Sequence, residues 1–288
     1  MQPFQFIRLA RPANIITAYA DIFAGYAAAG IQEHGKLLLL LASTTGLYAG
    51  GVVFNDVFDA KLDARERPER PIPSGAVSVS SAAAFGALLL LCGILSAWAC
   101  SRLSGELALG IAASALFYDA VGKHHLLFGP FNMGLCRGLN LLLGLSVASN
   151  PAISKWAIAG VTLSYIAGIT SLSRGEVRGG TNVGALLTTV WLTISVTILT
   201  WLGIRQGRSA LFVIPFFALL LFRIAGRLTR AIRTGDPMDV RAAVKAGVLS
   251  LIVVDCCIAT LFAGPVYGVA VLLLYVPATL LAKWFAVT

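Results

Sequence analysis

The stretch 54–75 reads FNDVFDAKLDARERPERPIPSG. Within it Asn55, Asp59 and Asp63 recur every four residues, with Asp56 beside the first. If the chain is helical here, that spacing lays an amide and two carboxylates along one face in steps of roughly 6 Å. The stretch follows directly on an apolar run long enough to cross a bilayer. Carboxylates gathered at the mouth of a membrane helix repel one another and resist desolvation unless something positive holds them together. A divalent metal answers that need, and all-oxygen ligands favour Mg²⁺ over zinc or copper. A plainer reading stands beside this one. Acidic and basic side chains alternate from Asp63 to Arg70 as in a solvated, salt-bridged loop, and the prolines with Gly75 turn the chain back towards the membrane.

The elements that must position these residues are membrane helices. Of 288 residues, 58% are hydrophobic and 12% charged, where soluble domains carry roughly 25% charged residues. A mean hydropathy of +0.84 leaves too little polar surface to cover a soluble globule. Apolar segments of spanning length lie near 13–30, 37–58, 80–100, 104–120, 131–148, 153–172, 183–203, 209–226, 244–263 and 266–282. The weakest division is Gly264-Pro265, readable as a kink or as a turn. The expected fold is therefore all-α: one integral domain over 1–288, a polytopic bundle of nine or ten membrane helices.

The net charge of +9 does not point to nucleic acid, because the basic residues fall mainly in alternate short loops. Threading the segments puts Arg8, Arg11, Lys61 to Arg70, Lys123, Arg174, Arg178, Arg227 to Arg241 and Lys283 on one side. Lys36, Arg102, Lys155, Arg205 and Arg208 fall on the other. The larger set assigns the N-terminus and the 55–75 loop to the cytoplasm, and a cell inner membrane is the expected location. Three polar clusters, at 55–75, 118–125 and 171–182, then share that face, after the second, fourth and sixth segments. The cysteines at 92, 100, 136, 256 and 257 lie in apolar stretches without metal spacing and read as packing residues.

The ladder Asn55-x₃-Asp59-x₃-Asp63 followed by Arg67-Pro68-Glu69-Arg70-Pro71-Ile72-Pro73-Ser74-Gly75 resembles the first aspartate-rich motif and loop of the UbiA superfamily of intramembrane prenyltransferases. Arg11-Pro12 opening the first helix, and Tyr118 with Lys123 after the fourth, are similar to further landmarks of that family. Ser173-Arg174-Gly175-Glu176 is similar to a divergent branch, the EboC-like proteins. The resemblance implies a helical bundle, commonly of nine membrane helices, around a central cavity open to the cytoplasmic face, in which an isoprenyl diphosphate binds through Mg²⁺, loses its diphosphate and passes its allylic group to an acceptor. On that basis Asn55, Asp56, Asp59 and Asp63 hold metal, Arg70 and Lys123 bind the diphosphate, and Asp56, Asp59 and Lys123 carry catalysis. Neutralising the charge of a diphosphate leaving group with metal and Lys or Arg is how proteins usually make it depart.

The family's second acidic motif is depleted. The matching stretch, TSLSRGEVRGG from Thr170, keeps one acid, Glu176, between Arg174 and Arg178. These three are the candidate cofactor-binding residues of this stretch: Arg174 and Arg178 would neutralise phosphate oxygens in place of a second metal, with Glu176 the one remaining acid, or the arginines simply anchor the topology. Asp21, Asn132, Arg137, Asn140 and Asp255 lie within apolar segments and are expected to face the bundle interior. Arg137 reads as an extension of the diphosphate site or as a strut to Asp21 or Asp119. His124 and His125 read as exposed loop residues. Arg223, Arg227, Arg230 and Arg233 form a row suited to lipid headgroups. Phe23, Tyr26, Phe54, Phe58, Phe117 and Tyr118 are candidates to line an isoprenyl slot or merely to pack.

The reading is a Mg²⁺-dependent transfer of an isoprenyl group from an isoprenyl diphosphate to a membrane-accessible acceptor, aromatic or otherwise, with the lipid bilayer as the other partner. The alternative is a non-catalytic binder or carrier of isoprenoid or phosphorylated lipid on the same fold, motivated by the depleted 171–182 cluster.

Overall fold

The computed structural model describes residues 3–30, 34–148 and 151–285, without the side chains of Pro3, Val177, Arg178, Arg208 and Ser209. Fourteen α-helices run in order: α1 Pro3–Ala10, α2 Pro12–Ala29, α3 His34–Phe58, α4 Ala60–Glu66, α5 Val79–Cys100, α6 Arg102–Ala120 and α7 Phe128–Leu145, then α8 Ile158–Ser173, α9 Gly175–Arg178, α10 Asn182–Gln206, α11 Ile214–Thr234, α12 Pro237–Ala263, α13 Pro265–Leu272 and α14 Tyr275–Leu281. Among the described residues no strand occurs, and six helices are long and apolar enough to cross a membrane. The chain is an integral membrane helix bundle.

Helix starts follow from local chemistry. Asp236 caps α12, accepting from the amides of Met238 at 2.7 Å and Asp239 at 3.3 Å, with Pro237 at the first helical position, where a missing amide hydrogen costs nothing. Ser78, Ser101 and Thr181 cap α5, α6 and α10 in the same way. Gly264-Pro265 is a turn: Gly264 has φ 86°, and α13 doubles back so that Gly268 lies against Thr260 of α12.

Position in the bundle follows composition. The apolar window of α12 is 83% buried, whereas those of α10 and α11 are only 17% buried, so α12 is the central post and the other two face lipid. Around it, α2 crosses α7 and α3 crosses α5 at very short range. A Cβ on Gly25 would lie 2.0 Å from the Leu141 carbonyl oxygen, one on Gly144 2.3 Å from that of Ile22, and one on Gly46 2.4 Å from that of Leu89. Small residues let helices approach closely where no hydrophobic effect drives them together. These crossings fix the helices that carry the site.

Since the obstacle at Gly144 is backbone, it cannot swing aside. Gly144→Ala is expected to destabilise the bundle by about 1–3 kcal/mol. Thermal unfolding in detergent reads this as a lowered midpoint, and a midpoint equal to wild type would contradict the crossing.

Candidate active site

The helices α2, α3, α6, α7, α8 and α12 enclose a cavity of about 430 Å³. Its mouth is lined by Arg11, Asn55, Asp59, Arg67, Arg70, Asp119, Lys123 and Glu176. Its interior is lined largely by Leu47, Val52, Ile111, Ile166, Ile169, Val248 and Leu251. A basic, oxygen-rich mouth thus opens into an apolar slot.

The ladder of residues 55–63 bends as it leaves the membrane. α3 ends at Phe58 and α4 begins at Ala60, although the i→i+4 bonds continue through the join, from the Asp59 amide to Asn55 O at 2.9 Å and from the Asp63 amide to Asp59 O at 2.8 Å. Asn55 and Asp59 line the cavity, whereas Asp56 and Asp63 are buried beside it and held by arginines. Arg11 Nη2 donates to Asp56 Oδ1 at 2.7 Å, and Arg70 Nη1 reaches both Asp56 Oδ1 at 3.2 Å and Asp63 Oδ2 at 2.8 Å. The single face expected of the ladder is therefore split into a cavity pair and a clasped pair. Arg11 sits at φ 45°, ψ 68°, the only positive φ outside glycine among the described residues. That left-handed backbone persists where surrounding contacts over-determine it, and here Pro12 follows and Asp56 holds the guanidinium.

The loop that delivers Arg70 has its own anchor. Ile72 and Val77 are buried with Leu9, Val53 and Ala82 in a small apolar cluster. Gly75, at φ 76°, makes the turn between them.

From the other side, α6 brings Asp119 and the turn after it brings Lys123. Asn55 Nδ2 donates to Asp119 Oδ1 at 2.8 Å, and Lys123 Nζ pairs with Asp59 Oδ1. The depleted second motif supplies a third wall. Glu176 is buried and faces the same cavity as Asn55 and Asp59. Arg174 instead donates to the backbone carbonyls of Lys123 at 3.3 Å, His125 at 3.1 Å and His124 at 3.5 Å, holding the turn that aims Lys123. The side chain of Arg178 lies outside the described residues. The segment is tied down by the Gly180 amide, which donates to Gly235 O at 2.8 Å, and by Arg241 Nε, which donates to Glu176 O at 2.9 Å.

Deeper in the membrane, Arg137 Nε pairs with Asp21 Oδ2 at 3.1 Å, and Arg137 Nη2 donates to Thr17 O at 2.9 Å. Asn140 Nδ2 donates to Asp21 Oδ2 at 2.9 Å, and Asn140 Oδ1 accepts from Thr44 Oγ1 at 2.6 Å. Arg137 is thus a strut to Asp21, as one of its two sequence readings has it, and it also lines the cavity. Asn132 ties α7 to Ser114 O of α6 at 2.9 Å, and Asp255 is fully buried. Among the aromatic candidates Tyr118 lines the cavity, Tyr26 is buried in the core, and Phe58 and Phe117 are exposed. His124 and His125 are exposed. Arg223 stacks on and bonds to Tyr275, rather than standing free in the arginine row.

The family model described as UbiA prenyltransferase family matches residues 15–237. The chain belongs to the UbiA prenyltransferase family. It is 43% identical over 108 residues to a digeranylgeranylglyceryl phosphate synthase of Methanoregula boonei, a stretch covering 37% of each chain. The matched region thus spans little more than a third of that relative's length. A solved structure of digeranylgeranylglyceryl phosphate synthase superposes with a TM-score of 0.68 at 20% identity, covering 90% of this chain and 98% of the other. A UbiA homologue from Archaeoglobus fulgidus, bound to GPP and Mg²⁺, superposes with a TM-score of 0.55 at 16% identity, covering 93% and 99%. The bundle is therefore the UbiA fold.

Among the described residues no three acidic, histidine or cysteine side chains converge to hold a metal by themselves. The oxygens of Asn55, Asp59 and Glu176, which line the same cavity from two of its walls, nevertheless fit a hard cation that completes its shell with water and with phosphate oxygens of a ligand. Arg67 and Asp119 were not singled out as site residues from sequence. A signal existed for Asp119, which precedes Lys123 by one helical turn, whereas Arg67 had none beyond its place in the loop.

Arg70→Met would leave Asp63 without its cation and Asp56 with one fewer. Breaking such a buried pair costs about 3–5 kcal/mol, so chemical denaturation should show a large loss and hydrogen exchange should rise across 60–78. Glu176 supplies a second expectation. Burial raises its carboxyl above the ordinary 4.5, against the opposing pull of Arg67 and Arg241. The protonated form is favoured in the fold, so its stabilising contribution is complete below 4.5 and fades as pH rises through the raised value. Glu176→Gln should flatten that part of the stability profile in melts run from about pH 4 to 8.

Proposed function

We propose that the chain transfers an isoprenyl group from an isoprenyl diphosphate to a membrane-accessible acceptor, with Mg²⁺ as cofactor and the whole of 1–288 acting as one domain. The observation that carries this reading is one cavity whose mouth gathers four basic side chains, Arg11, Arg67, Arg70 and Lys123, around Asn55 and Asp59, and whose interior is largely apolar, with Thr44, Arg137 and Asn140 among its polar exceptions. An amphipathic ligand with a multiply charged head and a hydrocarbon tail matches both halves. The relatives' name, digeranylgeranylglyceryl phosphate synthase, and the Archaeoglobus homologue's GPP and Mg²⁺ support the same chemistry. A binder without turnover is not favoured, since Glu176 of the altered motif joins the same cavity.

In this reading Asn55 and Asp59 offer oxygens to the metal. Asp56 and Asp63 serve the site through the arginines they hold, a part that stands in place of the direct metal ligation implied for them by the family resemblance. Mg²⁺, when bound, neutralises charge on the diphosphate and makes it a better leaving group. Lys123 and Arg70 donate to phosphate oxygens as negative charge accumulates on the departing diphosphate. Glu176 sets the charge balance of the third wall, and Arg174 fixes the Lys123 turn. The apolar slot keeps water from the allylic carbon, so the acceptor rather than water captures it. Positive charge concentrated around the motif loops assigns them and the N-terminus to the cytoplasmic side of a cell inner membrane.

The protein in lipid nanodiscs, given Mg²⁺, geranyl diphosphate and a panel of phenolic and alcoholic acceptors, is expected to release diphosphate and form prenylated product. Asp59→Ala should lower the rate about a hundredfold or more, and EDTA should stop it. Undiminished release by Asp59→Ala would overturn the assignment.

A further inference from the structure

Asn55 opens the ladder and lines the cavity. An amide side chain has a donor end and an acceptor end, and only the oxygen end can approach a cation. Which end faces the cavity is decided by what holds the other. Asn55 Nδ2 donates to Asp119 Oδ1 at 2.8 Å, and Asp119 is 4% exposed. An ionised carboxylate accepts and does not donate, so in that form the pairing has one sense. Flipping Asn55 would set oxygen against oxygen in a buried place. Among the described residues Asn55 Oδ1 has no hydrogen bond of its own, which leaves it for the cavity.

The contact is one rung of two. Asn55 and Asp59 stand four residues apart near the end of α3, and Asp119 and Lys123 stand four apart at the end of α6 and the turn beyond it. Each pair of partners is separated by 64 residues. The two ends therefore run in register, with α3 giving an amide and then a carboxylate, and α6 a carboxylate and then an ammonium. The Lys123 rung is reinforced from outside by Arg174. The Asp119 rung is sealed by burial.

We infer that Asp119 is a positioning residue: its acceptor-only carboxylate locks Asn55 with Oδ1 turned into the cavity, presenting that oxygen to the divalent cation. The inference rests on the metal-dependent reading above and assigns to α6 a part of the cation site that the 171–182 stretch does not supply.

Asp119→Asn tests it with almost no change of shape. An amide at 119 can donate to Asn55 Oδ1 and so permits the flipped arrangement, with a donor facing the cation. Mn²⁺ binding by electron paramagnetic resonance, in nanodiscs with saturating geranyl diphosphate, should weaken about tenfold, as is usual when a group orienting a metal ligand is lost. Asp119→Glu, which keeps an acceptor-only partner, should recover part of the loss. In an Asn55→Ala background, Asp119→Asn should have no further effect, because the residue it orients is gone. Melting temperature, followed for every variant, separates loss of orientation from loss of fold, and Asp119→Glu carries the comparison if Asp119→Asn does not fold. Wild-type Mn²⁺ binding that Asp119→Asn leaves unchanged, or losses that add with Asn55→Ala, would overturn this inference alone. Absence of diphosphate-dependent Mn²⁺ binding in the wild type would overturn the functional reading and this inference with it.

Discussion

A carboxylate at the end of a membrane helix is tolerable only if a cation reaches it, and much of the end of the bundle that carries the ladder is arranged around that requirement. The ladder puts four polar side chains within nine residues, more than one helix end can solvate by itself. Arg11 arrives from the start of α2, Arg70 from the loop after α4 and Lys123 from the turn after α6, each to a different position on the ladder. Elements far apart in sequence are tied to one helix end by ion pairs that cannot be dropped without leaving a buried charge unmatched. The two acids with the closest arginine partners, Asp56 and Asp63, are also the two that do not face the cavity. The clasp thus leaves Asn55 and Asp59 for a ligand.

The walls must be stiff for that division to hold. Stiffness comes from the glycine crossings of α2 with α7 and of α3 with α5, where backbone meets backbone. It comes also from the mid-membrane strut of Asp21, Arg137 and Asn140, which joins α2 to α7, while Thr44 adds α3 through Asn140. A fully buried carboxylate is costly in hydrocarbon, and the return for keeping one is a polar network with directional bonds among three helices. The same network lines the inner part of the cavity, so the packing of the helices and the shape of the site are set by one group of side chains.

The all-helical polytopic class and the ladder were legible in the sequence because each rests on local signals: apolar length, proline and glycine placement, and spacing by four. The direction in which each ladder residue points was not. A one-residue interruption at Asp59 lies between an uninterrupted series of backbone bonds, so nothing in the local pattern marks it. The partners that decide direction lie 7 to 64 residues away. Asp119 shows the limit well. Its spacing from Lys123 was visible, but its pairing with Asn55 depends on α3 and α6 ending at the same height, which is a property of the bundle. Arg174 shows the reverse case. Its charge suggested phosphate binding, yet three backbone carbonyls of the Lys123 turn occupy its guanidinium.

That use of Arg174 changes how the depleted second motif is understood. Replacing acids by arginine and glycine need not empty the third wall of purpose if the wall's task shifts from carrying metal to holding other parts in place. Gly179 at φ 93° and Gly235 at φ 62° let the short α9 segment and the turn before α12 meet backbone to backbone, an approach that side chains would obstruct. Arg241 fastens the same segment through the Glu176 carbonyl, leaving the Glu176 carboxyl turned to the cavity. From this pinned segment Arg174 extends to the Lys123 turn. The outcome is a continuous mechanical path from the central post α12, through α9, to the lysine that meets Asp59. With a single acid in this stretch, the first motif thus keeps a defined geometry, because Arg174 and the backbone around it are engaged in positioning the Lys123 turn.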